Sequence, residues 1–235
     1  MIKLFTKDFI TTTHNKTFST YKKRSLELLF LWPKLYLQLM PKVNAILLAA
    51  GLSSRMNGPN KLLLPFHGGA VIQSVYRGLS KSKINQITVV TGRDADQVIS
   101  SLSLRLNDQF AHNDNFELGM TSSIQSGLSR SQPCDAIMIC LGDMPWLNTA
   151  DYDFLIESFL SEGGTQRILV PWYDQKRANP VIFGKNYFDD MSNHKDTNGC
   201  AQIVRDNQEN VLNLNVDNDR FIKDIDSLGD IELFD

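Results

Sequence analysis

The chain has 235 residues, 42% hydrophobic and 21% charged, the composition of an ordinary globular protein rather than a disordered one. Lys and Arg number 24 against 26 acidic residues, a formal net charge of -2, so no overall basic field exists to hold a polyanion such as DNA. The cysteines Cys134, Cys140 and Cys200 form no C-x-x-C pair, which argues against a disulfide framework and for a reducing, cytoplasmic setting. The four histidines stand at no zinc-ligand spacing.

In chain order, residues 1–42 differ from the rest. A polar stretch leads to Lys22-Lys23-Arg24 and then to an apolar run over 26–40. Glu27, Pro33 and Lys34 interrupt that run, which is too short and too charged for a membrane span and lacks a signal-peptide cleavage site. We expect an N-terminal extension over 1–42, poorly packed or a surface helix, with Met40 as an alternative start, and a catalytic domain over 43–235. The apolar run 43–50 reads as a buried strand ending at Gly51. Apolar residues at 71, 72, 75 and 79 predict a helix over 70–80, and 87–91 predicts a second buried strand closed by Gly92. Asp94 is placed as the cap of a helix that buries Val98, Ile99 and Leu102. A short helix over 120–128, a third buried strand over 136–141, and a helix capped by Thr149 running through Leu160 follow. Strands are expected at 168–172, 180–183 and 211–216, with a helix at 200–205. This alternation predicts an α/β fold: a mostly parallel sheet with helices on both faces, three αβα layers in a Rossmann-like arrangement. Ligands of such sheets bind beyond the carboxyl ends of the strands, where both Gly51 and Asp143 fall.

Two segments carry chemistry most directly. In Leu48-Ala49-Ala50-Gly51-Leu52-Ser53-Ser54-Arg55-Met56-Asn57-Gly58-Pro59-Asn60-Lys61, the small residues Ala49, Ala50 and Gly51 let backbone approach a ligand closely. Backbone N–H groups of such a loop cradle phosphate, and Arg55 and Lys61 add two cations for a triphosphate. It lacks both the Gly-Lys-Ser/Thr of a Walker A loop and a Gly-x-Gly-x-x-Gly. The bland alternative is a Gly/Ser turn with solvated cations. In Leu141-Gly142-Asp143-Met144-Pro145, Asp143 ends a buried strand. A Mg²⁺ ion wants one or two carboxylates plus phosphate oxygens, although a capping Asp in a Gly-Asp turn has the same appearance.

Both segments resemble motifs of the MobA-like NTP transferase family, the molybdenum cofactor nucleotidyltransferases: the first its L-A-A/G-G-x-S-x-R-M-G loop with a following Lys, with Gly58 after Asn57 for the expected Gly, and the second its L-G-D-M-P metal motif residue for residue. Four further stretches are similar to family elements. Residues 113–123, with Gly119, Met120, Thr121, Ser122 and Ser123, resemble its N-x-x-x-x-x-G-M-x-x-S stretch near the nucleotide; helix capping by a hydroxyl is the competing reading. Residues 178–183 resemble G-N-P-V-x-F on the acceptor side, with Ala178 for Gly and Asn179 as the polar candidate. Residues 195–202 resemble G-D-x-G-A-R loosely: Asp196 is kept, Lys195 replaces a Gly, a residue is inserted and Gln202 follows in place of the Arg. Asp224-Ile225-Asp226 and Asp230 match D-I-D-T-P-E-D in part, with Asp226 as a second metal ligand or, alternatively, a surface acid.

The resemblance, spanning about 43–231, implies a GT-A-like, Rossmann-type sheet and a Mg²⁺-dependent nucleotidyltransferase. It implies Arg55, Lys61 and Asp143 as catalytic residues. Ala49, Ala50, Gly51, Ser53, Arg55, Lys61, Gly119, Ser122 and Ser123 would meet the nucleotide, Asn179 and Asp196 the acceptor, and Asp143 and Asp226 the metal. In the family, Leu-Ala-Gly-Gly accompanies guanylyl and Leu-Ala-Ala-Gly cytidylyl transfer, so Ala50 points to CTP and to the phosphate of molybdopterin, with a client molybdoenzyme as a partner and neither nucleic acid nor membrane. The alternatives are guanylyl transfer to the same cofactor, another sugar- or polyol-phosphate nucleotidyltransferase, and a nucleotide-binding chaperone that delivers the cofactor without turnover.

Overall fold

The structure, a computed structural model, describes residues 41–51, 60–226 and 229–232. The expected extension over 1–42, up to residue 40, and the candidate residues Ser53 and Arg55 lie outside the described residues.

Strand β1 (Val43–Ala49) is buried along nearly its whole length. It pairs in parallel on one side with β4 and on the other with β6, which explains an apolar run without alternation. A small antiparallel hairpin, β2 (Pro65–Phe66) and β3 (Gly69–Ala70), leads into helix α1 (Val71–Ser80). This helix buries Val71, Ile72, Val75 and Leu79, the residues whose spacing predicts it. Strand β4 (Ile87–Thr91) is wholly buried. Helix α2 (Ala95–Ser101) departs from expectation in two ways. Asp94 makes no capping hydrogen bond, because its carboxylate faces Arg93 Nε at 3.2 Å. Ile99 is 39% exposed, so only Val98, with Leu102 beyond the end, reaches the core; a two-turn helix presents too narrow a face for all three. The edge strand β5 (Gln109–His112), with its polar ends, carries no apolar-run signal.

Helix α3 (Met120–Arg130) is followed by β6 (Ala136–Leu141) and α4 (Thr149–Ser161). The cap of α4 is Asn148, not Thr149: the Asn148 side chain accepts from the N–H groups of Ala150 and Asp151, and Asp151 accepts from the Asn148 N–H in return. The chain then forms β7 (Ile168–Tyr173), β8 (Lys176–Arg177), β9 (Val181–Gly184), α5 (Phe188–Asn193), α6 (Ala201–Asp206), β10 (Val211–Asn215) and the short α7 (Gly229–Glu232).

The main sheet runs β10-β7-β9-β6-β1-β4-β5, with β8 on β7. It is mostly parallel, as the alternation predicts, but β9 lies antiparallel between β6 and β7. The link from β7 to β9 is a tight hairpin, too short for the crossover that parallel pairing requires. One face packs on α1, α2 and α4 through Val75, Leu79, Val98, Leu155 and Phe159. The other packs on α3, α5 and α6 through Ile124, Met191, Ile203 and Val204. These are the expected three layers. The carboxyl ends of β1, β4, β6, β7 and β10 share one edge. Among the described residues, no helix is long and apolar enough to cross a membrane.

Candidate active site

At that edge a cavity of about 300 Å³ opens beyond β1 and β6. Leu48, Ala50, Gly51, Lys61 and Leu62 form one side. Phe116, Glu117, Gly119, Met120 and Ser123 form a second, and Leu141, Gly142 and Asp143 a third. Ala50 is 4% exposed and packs with Val90 and Ile124, so its methyl shapes the floor rather than protruding. A Cβ at Gly51 would meet nothing within 4 Å, so no described neighbour demands glycine there. Ala49 is fully buried in the opposite core cluster; only its backbone can serve a ligand.

Two devices fix the charged groups. Asn60 Oδ1 accepts from the Leu62 N–H at 3.1 Å and caps a single 3-10 turn over Lys61–Leu63, which sets the root of the Lys61 side chain. Gly142 donates its N–H to the Leu48 carbonyl at 3.0 Å, and a Cβ on it would lie 2.6 Å from that same oxygen. Asp143 therefore leaves the sheet through a position that only glycine fits. The Lys61 ammonium lies 2.6 Å from Asp143 Oδ2 and 3.6 Å from Asp226 Oδ1, and donates to the Ile225 carbonyl at 2.7 Å. The Ile225 N–H in turn donates to the Asp143 carbonyl at 2.9 Å. The segment 221–226 is thus strapped across the end of β6. Its root is held by Arg220, which grips the buried Asp151 through two bonds of 2.7 and 2.9 Å.

Asp224, which the sequence reading passes over in favour of Asp226, belongs to this cluster. Partial desolvation, then the charges of Asp143 and Asp226, push its carboxyl above the usual range against the opposing pull of Lys61. The Ile225 carbonyl is a second missed contributor; a backbone acceptor leaves no mark in a sequence.

On the second side of the cavity, buried Asn113 donates to Ser122 Oγ at 2.9 Å and to Ser123 Oγ at 3.0 Å, and accepts from the Asn115 N–H. Ser122 also donates to backbone carbonyls of the loop. It organises the 113–119 turn, whereas Ser123 lines the cavity. Neither Thr121 nor Ser122 caps α3; its cap is Gly119, at φ +102°. A Cβ there would lie 2.7 Å from the Thr197 carbonyl, and Thr121 Oγ1 accepts from the Gly199 N–H at 3.1 Å. The nucleotide-side turn and the 195–202 element are therefore packed together.

The structure brings Ala50, Gly51, Lys61, Gly119, Ser123 and Asp143 to one cavity, with Asp226 joined to them through Lys61. Asn179 and Asp196 do not line it. Asn179 donates its N–H to the Phe221 carbonyl, beside the strap. Asp196 accepts from the Asn198 N–H and faces Arg205 at 3.9 Å. Arg205, one turn beyond Gln202, donates to Gln202 Oε1 at 2.6 and 3.1 Å.

No three His, Cys, Asp or Glu side chains among the described residues converge as a ready-made metal cluster. Two carboxylates do share one cation. Asp143 Oδ1 is shielded from solvent without a hydrogen-bond partner, a costly state for a carboxylate oxygen. A hard divalent cation that takes one or two protein carboxylates and the rest of its ligands from nucleotide and water fits this donor set.

The MobA-like NTP transferase domain family matches residues 45–211. The chain is 26% identical over 146 residues to the molybdenum cofactor cytidylyltransferase of Escherichia coli (strain K12), covering 62% of this chain and 72% of that protein. It is 26% identical over 143 residues to the probable molybdenum cofactor guanylyltransferase of Methanosarcina acetivorans, covering 59% and 61%. The crystal structure of Rv0371c from Mycobacterium tuberculosis H37Rv in complex with manganese superimposes with a TM-score of 0.66 at 22% identity, covering 82% of this chain and 97% of that one.

Proposed function

Because the chain belongs to the MobA-like NTP transferase family and is a nucleotidyltransferase, we propose that it transfers CMP from CTP to the phosphate of molybdopterin, with Mg²⁺ as the metal. An oxygen of the acceptor phosphate forms the new bond to the α-phosphorus, and the bond from that phosphorus to the bridging oxygen breaks. Pyrophosphate leaves with the electron pair. The observation that carries the reading is Lys61 held between Asp143 and Asp226 on the rim of a cavity floored by Ala50.

Lys61, with Arg55, binds and orients the triphosphate. Asp143 and Asp226 would hold Mg²⁺, which would supply charge neutralisation at the α-phosphate and the leaving pyrophosphate. Backbone at Ala49, Ala50 and Gly51, with Ser53, receives the ribose and base. The N–H groups at the start of α3, beyond Gly119, face the nucleotide with Ser122 and Ser123 behind them. Asn179 and Asp196 stand on the acceptor side. A buried methyl at Ala50 raises the floor of the base pocket relative to glycine, which favours the smaller pyrimidine. No protein nucleophile is required: positioning and charge neutralisation supply the rate. Burial pushes the Cys200 thiol up to about 12 and raises the Cys140 thiol too, which keeps both neutral in the folded protein. The three free cysteines suit the cytoplasm.

An acceptor screen tests the reading. With CTP and Mg²⁺, molybdopterin should release pyrophosphate, while sugar phosphates and methylerythritol phosphate should not. Release with one of the latter alone would reassign the acceptor. CTP binding without release on any acceptor would point to a delivery chaperone.

A further inference from the structure

The nucleotide cavity accounts for β1, β6 and the start of α3 but leaves the other half of the sheet edge unused. There β7 outruns β9. The registers put Leu169, Ile182 and Met138 at one level across β7, β9 and β6, so Trp172 stands level with Leu141. Two strand spacings separate them, about 10 Å. Beyond the start of β9, Trp172 pairs with Arg177 of β8. The turn between them holds Asp174 at φ 45° and Gln175 at φ 62°, a tight hairpin that projects from the same edge as Asp143. The guanidinium of Arg177 lies over the Trp172 ring, 5.7 Å from its centroid. The ring is held from its far end, where Nε1 donates to Asn213 Oδ1 at 2.7 Å. Arg177 is exposed and has no carboxylate partner among the described residues, whereas Lys176, paired with Tyr173, lies on the other face of the hairpin.

A half-buried indole with a fixed orientation, capped by one exposed guanidinium on the same face of the hairpin, makes a platform for a planar group that carries negative charge. Trp172 packs with the same core cluster as Ala50, Leu48 and Phe116 of the cavity lining, so platform and cavity lie on the same face of the sheet. We propose that Trp172 and Arg177 form the subsite for the body of the acceptor, a planar heterocycle stacked on the guanidinium that the indole backs, while its phosphate reaches toward Lys61. This rests on the molybdopterin reading above and deepens it: the platform is the specificity element that separates a pterin from a sugar phosphate. The span of about 10 Å fits an acceptor whose phosphate is joined to its ring system by a short linker.

The test uses the full chain with Arg177→Ala and Trp172→Ala, each first checked by thermal melting. Arg177→Ala removes only an exposed cation, so it stays informative if Trp172→Ala fails to fold. Pterin-6-carboxylate serves as the planar anionic probe and ribose 5-phosphate as the non-planar one, both followed by calorimetry. Wild type should bind the pterin in preference, and Arg177→Ala should weaken that binding about tenfold, the size of a partly desolvated cation–π contact. In the transfer assay the same variant should raise KM for molybdopterin and leave KM for CTP unchanged. Equal pterin binding by wild type and Arg177→Ala, or preference for ribose 5-phosphate, overturns the proposal. The two readings fail separately: CTP transfer to molybdopterin with an unchanged KM in Arg177→Ala sinks the platform alone, whereas Arg177-dependent pterin binding without CTP turnover sinks the cytidylyl assignment alone.

Discussion

Replacing Lys61 by Met removes one charge from between two carboxylates while keeping the volume of the stem. The ammonium is 2.6 Å from Asp143 and 3.6 Å from Asp226, with side-chain exposures of 18% for Lys61, 19% for Asp143 and 48% for Asp226. At an effective dielectric near 20 the gross attraction to Asp143 alone is about 6 kcal/mol, and most of it is offset by the desolvation already incurred. Breaking a fully buried pair costs roughly 3–5 kcal/mol. Discounting for the exposure of Asp226 gives about 2–3 kcal/mol, or a fall in Tm of roughly 5–10 °C for a domain of this size. The loss should fall on the strap 221–226, which Lys61 also holds through the Ile225 carbonyl. The variant leaves two carboxylates without their cation, so Mn²⁺ should raise its Tm more than it raises that of wild type. Scanning calorimetry with and without Mn²⁺ decides this. A variant as stable as wild type, or equal Mn²⁺ stabilisation of both, would refute the reasoning.

Other perturbations report on neighbouring parts of the same frame. Gly142→Ala places a Cβ 2.6 Å from the Leu48 carbonyl, backbone against backbone, and should cost about 2 kcal/mol or more in urea unfolding; an unchanged midpoint would mean the turn re-forms freely. Arg220→Ala leaves Asp151, 6% exposed, without its bidentate partner and should cost about 2–4 kcal/mol, with faster hydrogen exchange at Ile225 than at Val89. Burial raises Cys134 to about 11 and Cys200 to about 12. The neutral thiol is therefore favoured in the folded state, and native-state alkylation should stay slow at pH 8, accelerating only when urea exposes the thiols. Rapid native labelling of Cys200 would contradict the assigned burial.

The parts of the fold legible in the sequence are those where burial is uniform. Strands β1, β4 and β6 lie in the middle of the sheet with both faces covered, so their composition alone marks them, and the spacing of Val71, Ile72, Val75 and Leu79 marks α1. The antiparallel sense of β9 is not legible, because a four-residue apolar run reads the same in either direction. Strand β5 sits at the edge, and β2, β3 and β8 are two residues each, too short for any period. Thr149 and Asn148 are both good caps by residue type, and the reciprocal bond with Asp151 selects Asn148. In the site, Asp143 announces itself as the first acid after a buried strand. Asp224, the Ile225 carbonyl and the Arg220 clamp depend on where the last segment crosses the sheet, a tertiary fact with no local signal. The Asp196–Arg205 contact likewise joins a loop to a helix and leaves no local signal.

In the proposed function, Ala50 at the floor of the cavity fits the site to a pyrimidine nucleotide. The direct measurement offers equimolar CTP and GTP with molybdopterin and Mg²⁺, and identifies the dinucleotide product by mass. The cytosine dinucleotide should form with pyrophosphate release, and folded Asp143→Asn should form none. Formation of the guanine dinucleotide alone would contradict the cytidylyl assignment.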